Sequence, residues 1–141
     1  MKLQFPKDFI WGTSTAAYQI ETVSDNNWKG VKCNDGTVFD KCSQHDLHRD
    51  EDLELICQVS NGYRMSHDWA KLQKAPFAPF DKVEVENYMR FMEELKRRGK
   101  HIMLVLHHFT NPTWFEKEGG WEKEGNRKMW LDFVQKTVDT F

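Results

Sequence analysis

Strand-like and helical segments alternate along this chain, and this alternation constrains its fold more than any other feature. Three short apolar runs have the pattern of buried strands: Phe9–Trp11, Tyr63–Ser66 and His101–His107. Helical patterns follow them, over Asp52–Val59, after Asp81 and after Asn126. Strands that alternate with helices predict βαβ units and a parallel sheet. The last two strands begin about forty residues apart, which is typical of a barrel of repeated βα units.

The predicted fold is therefore α/β, the N-terminal part of a (β/α)8 barrel with about three βα units. Residues 1–141 are expected to form one partial domain, because no linker or second pattern interrupts them. Asp81 is a predicted helix N-cap, and Gly99 is placed to end the same helix. Asn126 is the predicted N-cap of the last helix. Residues 22–50 are polar and aperiodic, and they predict a long loop.

Composition excludes several classes of partner. The 141 residues carry a net charge of −2, without the basic stripe that nucleic-acid binding requires. No stretch is long and apolar enough for a membrane span or a secretory signal, so we expect a cytoplasmic protein. The three cysteines include no Cys-x-x-Cys pair, which argues against a disulfide framework.

Polar clusters follow the three predicted strands, close to the point where each strand ends. They are Tyr18–Glu21, Arg64–Trp69 and His107–Pro112. The active site of a (β/α)8 barrel lies at the C-terminal ends of its strands. We therefore expect these clusters to meet at one rim.

The residues at these positions resemble a known family. The stretch FIWGTSTAAYQIE, from Phe9 to Glu21, is similar to the N-terminal signature of family 1 glycoside hydrolases, the β-glucosidase, β-galactosidase and 6-phospho-β-glucosidase type. Three later stretches fit the same family in the same order: YRMSHDW, LHHFTNPTWF and GGW. The sequence departs from the family pattern at Met65, His67, Asp68 and Lys71.

The resemblance implies a retaining β-glycosidase that hydrolyses a β-linked glucoside, galactoside or related saccharide without a cofactor or metal. It implies that Gln19 and His108 bind hydroxyls of the glycone, the terminal sugar. Arg64 is expected to contact the catalytic nucleophile. Phe109 occupies a position where the family usually has an aromatic residue, and it is expected to support the site. The competing reading of Gln19 and His108 is structural, as buried polar groups bonded to backbone. His107 is expected to point away from the site.

The two catalytic glutamates of such an enzyme are not expected within this chain. The family carries them in Asn-Glu-Pro and Glu-Asn-Gly motifs, and neither tripeptide occurs in residues 1–141. The last helical pattern corresponds to the helix before the fourth barrel strand, so we expect an N-terminal fragment that is inactive alone. The alternative is a non-catalytic sugar-binding or structural remnant of the same fold.

Two further expectations concern association and metals. A parallel sheet of three strands leaves its edges unpaired, so self-association through the open barrel edges is expected. The loop residues Cys33, Cys42, His45 and His48 are of the types that bind zinc, but their spacing matches no common zinc motif. We therefore regard zinc binding as the weaker hypothesis.

Overall fold

The computed structural model describes residues 3–38 and 42–141 as one parallel sheet with helices against one of its faces. The strands are β1 Gly12–Ser14, β2 Gly62–Ser66 and β3 His101–Val105. The helices are α1 Ala17–Ile20, α2 Arg49–Val59, α3 Trp69–Leu72, α4 Lys82–Arg97, α5 Thr113–Lys117 and α6 Arg127–Thr140, with a 3₁₀ turn at Glu124–Asn126. The sheet order is β1-β2-β3, and both pairings are parallel. The predicted three βα units are therefore confirmed.

The first strand begins later than the apolar pattern predicted. Phe9, Ile10 and Trp11 were expected to form a buried strand, but they are 39%, 50% and 54% exposed and precede β1. The Trp11 backbone bonds to Asn61, with its N–H donating to Asn61 Oδ1 at 2.6 Å. The rings of Phe5, Phe9 and Trp11 pack together at centroid distances of 4.7–4.8 Å. Aromatic clustering outside the sheet, rather than strand pairing, accounts for this apolar run.

The capping signals predicted the bounds of α4 but not the cap of α6. Asp81 accepts hydrogen bonds from the N–H groups of Val83 and Glu84, so it caps α4 as predicted. Gly99 follows that helix with φ +69°, in the left-handed region that favours glycine. Asn126 precedes α6, but its side chain does not cap it. The Asn126 amide instead donates to two backbone carbonyls of the preceding loop.

The hydrophobic core lies between the sheet and the helices. Tyr63 and Met65 of β2 face it, and the buried residues that the helices contribute are Leu53, Ile56, Trp69, Leu72, Tyr88, Phe91, Leu95, Phe115, Met129 and Phe133. Full burial of each large apolar side chain contributes on the order of 1.5–3 kcal/mol. This layer holds the strands in register, so it sets where their C-terminal ends lie.

The opposite face of the sheet is open. Met103, in the middle of β3, is 63% exposed on this face. Ser14, Arg64 and Met103 lie side by side across the three strands. They line a cavity of about 520 Å³ together with Ile10, Gly12, Thr13, Gly62, Tyr63, His101 and Ile102. In a closed barrel this is the face that points inward.

Candidate functional site

The ends of β1 and β2 are joined directly by hydrogen bonds. The Thr15 N–H donates to the Arg64 carbonyl at 3.0 Å, one residue beyond the β1 ladder. The Ala17 N–H donates to Ser66 Oγ at 3.0 Å, and both residues are buried. The small side chains of Ala16 and Ala17 allow this close approach. As a result α1 starts at the C-terminal edge of the sheet.

Gln19 lies in the middle of α1, and its side chain is exposed. Its backbone N–H donates to the Ala16 carbonyl at 3.0 Å. In the part of the chain that the structure describes, its amide group has no hydrogen-bond partner, so the competing interpretation of Gln19 as a buried amide bonded to backbone does not apply. An exposed primary amide offers donors and acceptors together, which suits hydroxyl recognition.

Arg64 and His108 lie close enough to interact electrostatically. Arg64 points to the open face, where its Nη1 donates to Ser14 Oγ at 3.1 Å. Burial, together with the positive charge of Arg64 and with His107, lowers the pKa of His108. This shift favours the neutral form of the imidazole. Its Nδ1 is buried, and within residues 3–38 and 42–141 it has no hydrogen-bond partner.

The segment that carries His108 and Phe109 is held by the long loop. Asn27 and Asn111 exchange two hydrogen bonds, from the Asn27 N–H to the Asn111 carbonyl at 2.9 Å and from the Asn111 N–H to Asn27 Oδ1 at 2.8 Å. Phe109 has φ +51°, a conformation that non-glycine residues rarely adopt. Its ring meets Trp28 edge to face at 5.4 Å. Loop contacts therefore set the direction of His108 and Phe109.

His107 points away from these groups, as predicted. Its Nε2 lies 2.8 Å from Asn111 Oδ1, which also accepts the Trp121 indole N–H at 3.1 Å. The His107 ring packs edge to face against Trp69 and Trp121. This histidine is therefore part of the packing behind the rim.

A buried charged cluster lies beneath α1, and sequence reasoning missed it. Lys71 Nζ donates to Glu21 Oε2 at 2.9 Å and to Asp46 Oδ2 at 2.9 Å. The Tyr88 hydroxyl lies 3.0 and 2.8 Å from the two oxygens of Glu21. Arg49 adds a more distant ion pair with Glu21 at 3.8 Å. The sequence contains both partners, a glutamate at position 21 and a lysine at position 71. Because 50 residues separate them, no local pattern indicates their contact.

The ionisation of this cluster follows from its contacts. Burial opposes ionisation of Asp46, but hydrogen bonds from Thr22 and Lys71 outweigh it and hold the pKa of Asp46 at about 2. Burial also acts against a charged Lys71, yet the adjacent carboxylates of Glu21 and Asp46 raise its pKa above the usual value. Lys71 is therefore a cation at neutral pH, with two carboxylates as partners.

Among the described residues, the cavity on the open face contains no pair of carboxyl groups. No aspartate or glutamate is among the described residues that line this cavity. Glu21 and Asp68 are buried on the other side of the rim, and burial raises the pKa of each. Asp68 binds Ser24 Oγ at 2.6 Å and caps α3 through the Ala70 N–H at 2.9 Å. These two carboxyls therefore serve the packing around α1 and α3.

The zinc hypothesis finds no support in the described residues. His45 Nδ1 lies 2.6 Å from Asp52 Oδ2. The thiol of Cys42 donates to the Tyr18 carbonyl at 3.4 Å. No group of three or more candidate ligands comes together within residues 3–38 and 42–141. In the same residues no helix has the length and apolar character needed to cross a bilayer.

Comparisons with known proteins agree on one family. The sequence profile described as Glycosyl hydrolase family 1 matches residues 1–141. Beta-glucosidase A of Acetivibrio thermocellus is 26% identical over 146 aligned residues, which cover 95% of this chain and 33% of that protein. A 6-phospho-beta-glucosidase of Bacillus subtilis is 30% identical over 131 residues, covering 84% of this chain and 28% of that protein.

The solved structures extend this agreement to the fold. A beta-glycosidase from Pyrococcus horikoshii superposes with a TM-score of 0.90 at 30% identity, covering 99% of this chain and 34% of that chain. The present chain thus spans about a third of the length of the relatives it matches.

Proposed function

Because the chain belongs to glycosyl hydrolase family 1, we propose that it forms the sugar-binding part of a retaining β-glycosidase. The substrate class is a β-linked glucoside, galactoside or related saccharide. The family is one of glycosidases, and the relatives at 26% and 30% identity are named as a β-glucosidase and a 6-phospho-β-glucosidase. The proposal names this substrate class and assigns no particular sugar or leaving group within it.

The proposed glycone ligands are Gln19 and His108. The observation that carries this proposal is the partly exposed ring of His108 at the rim, close enough to Arg64 for the positive charge of Arg64 to help lower the pKa of His108. A neutral imidazole presents one donor and one acceptor, so it matches a hydroxyl group that both gives and takes a hydrogen bond. The exposed amide of Gln19 offers the same combination from α1. The ring of Phe109 supplies an aromatic wall beside them.

Arg64 has the supporting role. Among the described residues its guanidinium forms no ion pair, and its one hydrogen bond goes to a neutral serine. A carboxylate beside it would be held ionised, because an opposite charge within a few ångströms favours the charged form. We assign that carboxylate to the catalytic nucleophile.

We assign both catalytic carboxyl groups to residues outside 1–141. A retaining glycosidase requires them about 5–5.5 Å apart on either side of the scissile bond. The described residues that line the cavity on the open face include the polar side chains of Ser14, Arg64 and His101 as well as apolar ones, but no aspartate or glutamate. Residues 1–141 alone are therefore expected to bind a sugar without turning it over, and none of them is assigned as a catalytic residue.

The test measures sugar binding and turnover by the 141-residue chain. Titration with methyl β-D-glucopyranoside, followed by NMR, should give a dissociation constant in the millimolar range, about 4 kcal/mol of binding free energy. Gln19→Ala and His108→Ala should each weaken binding about five- to tenfold, since each removes a hydrogen bond of about 1 kcal/mol or more. Gln135→Ala on α6 and His48→Ala before α2 are matched controls, and neither should change the affinity.

Two results would contradict this proposal. One is unchanged affinity in both Gln19→Ala and His108→Ala. The other is hydrolysis of an aryl β-glucoside by the purified chain above a boiled control, because that would mean that residues 1–141 hold the catalytic acids.

A further inference from the structure

The helix that carries Gln19 is too short to be stable by itself. α1 has four residues, and helices of this length do not form in isolation because nucleation is costly. The residue before it, Ala16, provides no side-chain cap. The direction of the Gln19 amide must therefore depend on what holds the two ends of α1.

Each end of α1 is held by a residue from the β2–α3 segment. At the N-terminal end, Ser66 Oγ accepts the Ala17 N–H at 3.0 Å. At the C-terminal end, Lys71 Nζ donates to the Glu21 carboxylate at 2.9 Å. Glu21 is also bonded through its backbone N–H to the Ala17 carbonyl at 2.8 Å. Gln19 lies between these two anchors.

Lys71 joins α1 to the long loop as well. Its ammonium donates to Asp46 Oδ2 at 2.9 Å and to Thr22 Oγ1 at 3.3 Å. Asp46 in turn binds the Thr22 hydroxyl and accepts the Thr22 N–H at 2.8 Å. The three N–H donors of the Lys71 ammonium therefore all have acceptors, namely Glu21, Thr22 and Asp46. Together these hydrogen bonds fix the position of the ammonium group.

The backbone end of Lys71 is also held in place, because it belongs to α3 in the core. Lys71 is 6% exposed, and its neighbours Trp69 and Leu72 in α3 are 3% and 0% exposed in the core. Removing one partner from a buried charge pair is strongly destabilising, so the contacts of Lys71 with Glu21 and Asp46 favour the arrangement seen here. The four residues of α1 have no comparable support of their own.

We propose that Lys71 is a positioning residue for Gln19. Lys71 binds Glu21 and Asp46 at the same time, and so it fixes the end of α1 and the direction of the Gln19 amide. This inference rests on the proposed role of Gln19 in sugar binding. It adds three residues to the site, Glu21, Asp46 and Lys71, none of which touches the sugar. Their effect on affinity passes through Gln19.

The test is a double-mutant cycle between Asp46 and Gln19. Asp46→Asn keeps the shape of a side chain that is 14% exposed but removes its charge toward Lys71. We expect it to weaken binding of methyl β-D-glucopyranoside about three- to tenfold, the range of coupling within one network. In the Gln19→Ala background it should cause no further loss, a non-additivity that a purely structural effect on stability would not produce.

The controls separate positioning from loss of fold. Asp132→Asn on α6 removes a matched aspartate that pairs with Lys136 at 2.6 Å, and it should leave the affinity unchanged. Circular dichroism of each variant reports whether it is folded.

The outcomes distinguish the two proposals. Unchanged affinity in Asp46→Asn, or a loss that adds fully to that of Gln19→Ala, would overturn the positioning role alone. Wild-type affinity in Gln19→Ala would overturn the sugar-binding role of Gln19 and the positioning role with it.

Discussion

His67 lies in the core, and replacing it should change the pH dependence of stability. The ring is 6% exposed and packs between Tyr88 and Phe141 at centroid distances of 4.4 and 4.1 Å. Neither ring nitrogen has a partner in the part of the chain that the structure describes. Burial, with a contribution from the charge of Arg49, lowers the pKa of His67 to about 3.

The size and sign of the effect follow from linkage. The unfolded chain binds a proton at His67 with its ordinary pKa of 6.5, whereas the folded chain does so only near 3. Between these values the unfolded state holds more protons, so folding stability falls as the pH falls. The slope is at most about 1.4 kcal/mol per pH unit. At pH 5 the folded state is therefore about 2 kcal/mol less stable than at pH 8 because of this one group.

The assay is urea unfolding of the parent and of His67→Leu between pH 5 and pH 8. Since other buried groups, such as Glu21 and His45, titrate in both proteins, the difference between the two curves isolates His67. The variant should gain about 2 kcal/mol relative to the parent on going from pH 8 to pH 5. His48→Leu, at a histidine side chain that is 56% exposed, should follow the parent curve. Parallel curves for His67→Leu and the parent would refute this account of His67.

Two further predictions concern the helix cap and the open sheet. Asp81→Ala removes the acceptor for the Val83 and Glu84 N–H groups, and it should lower the free energy of unfolding by about 1 kcal/mol in urea titrations; an unchanged midpoint would show that the cap adds nothing. The exposed sheet face around Met103 and the unpaired strand edges should promote self-association of the 141-residue chain. Sedimentation velocity should show species that grow with concentration, whereas a single monomer at every concentration would contradict this.

Local signals predicted much of the fold. The cap at Asp81 and the turn at Gly99 depend on residues within four positions along the chain, and both were found as expected. The strand over Tyr63–Ser66 was also correct, with the buried residues Tyr63 and Met65 on either side of the exposed Arg64. These features require no knowledge of distant parts of the chain.

Features that depend on distant contacts were predicted poorly. Phe9–Trp11 has strand-like composition, but the three aromatic rings near the N-terminus pack on one another instead. Asn126 has the right residue type for a cap, yet loop carbonyls compete successfully for its amide. The link between Glu21 and Lys71 spans 50 residues and carries no local pattern. The site residues came from the resemblance to a family, since neither periodicity nor composition distinguishes Gln19 or His108.

The central claim is that the strand ends bring Gln19, Arg64 and His108 around one sugar ring. The most direct measurement is NMR mapping of the isotope-labelled 141-residue chain during titration with methyl β-D-glucopyranoside. We expect the largest chemical-shift changes to fall on the side chains of these three residues and to saturate with one dissociation constant. Saturating shifts on the helical side of the sheet, or separate binding curves for Gln19 and His108, would contradict it.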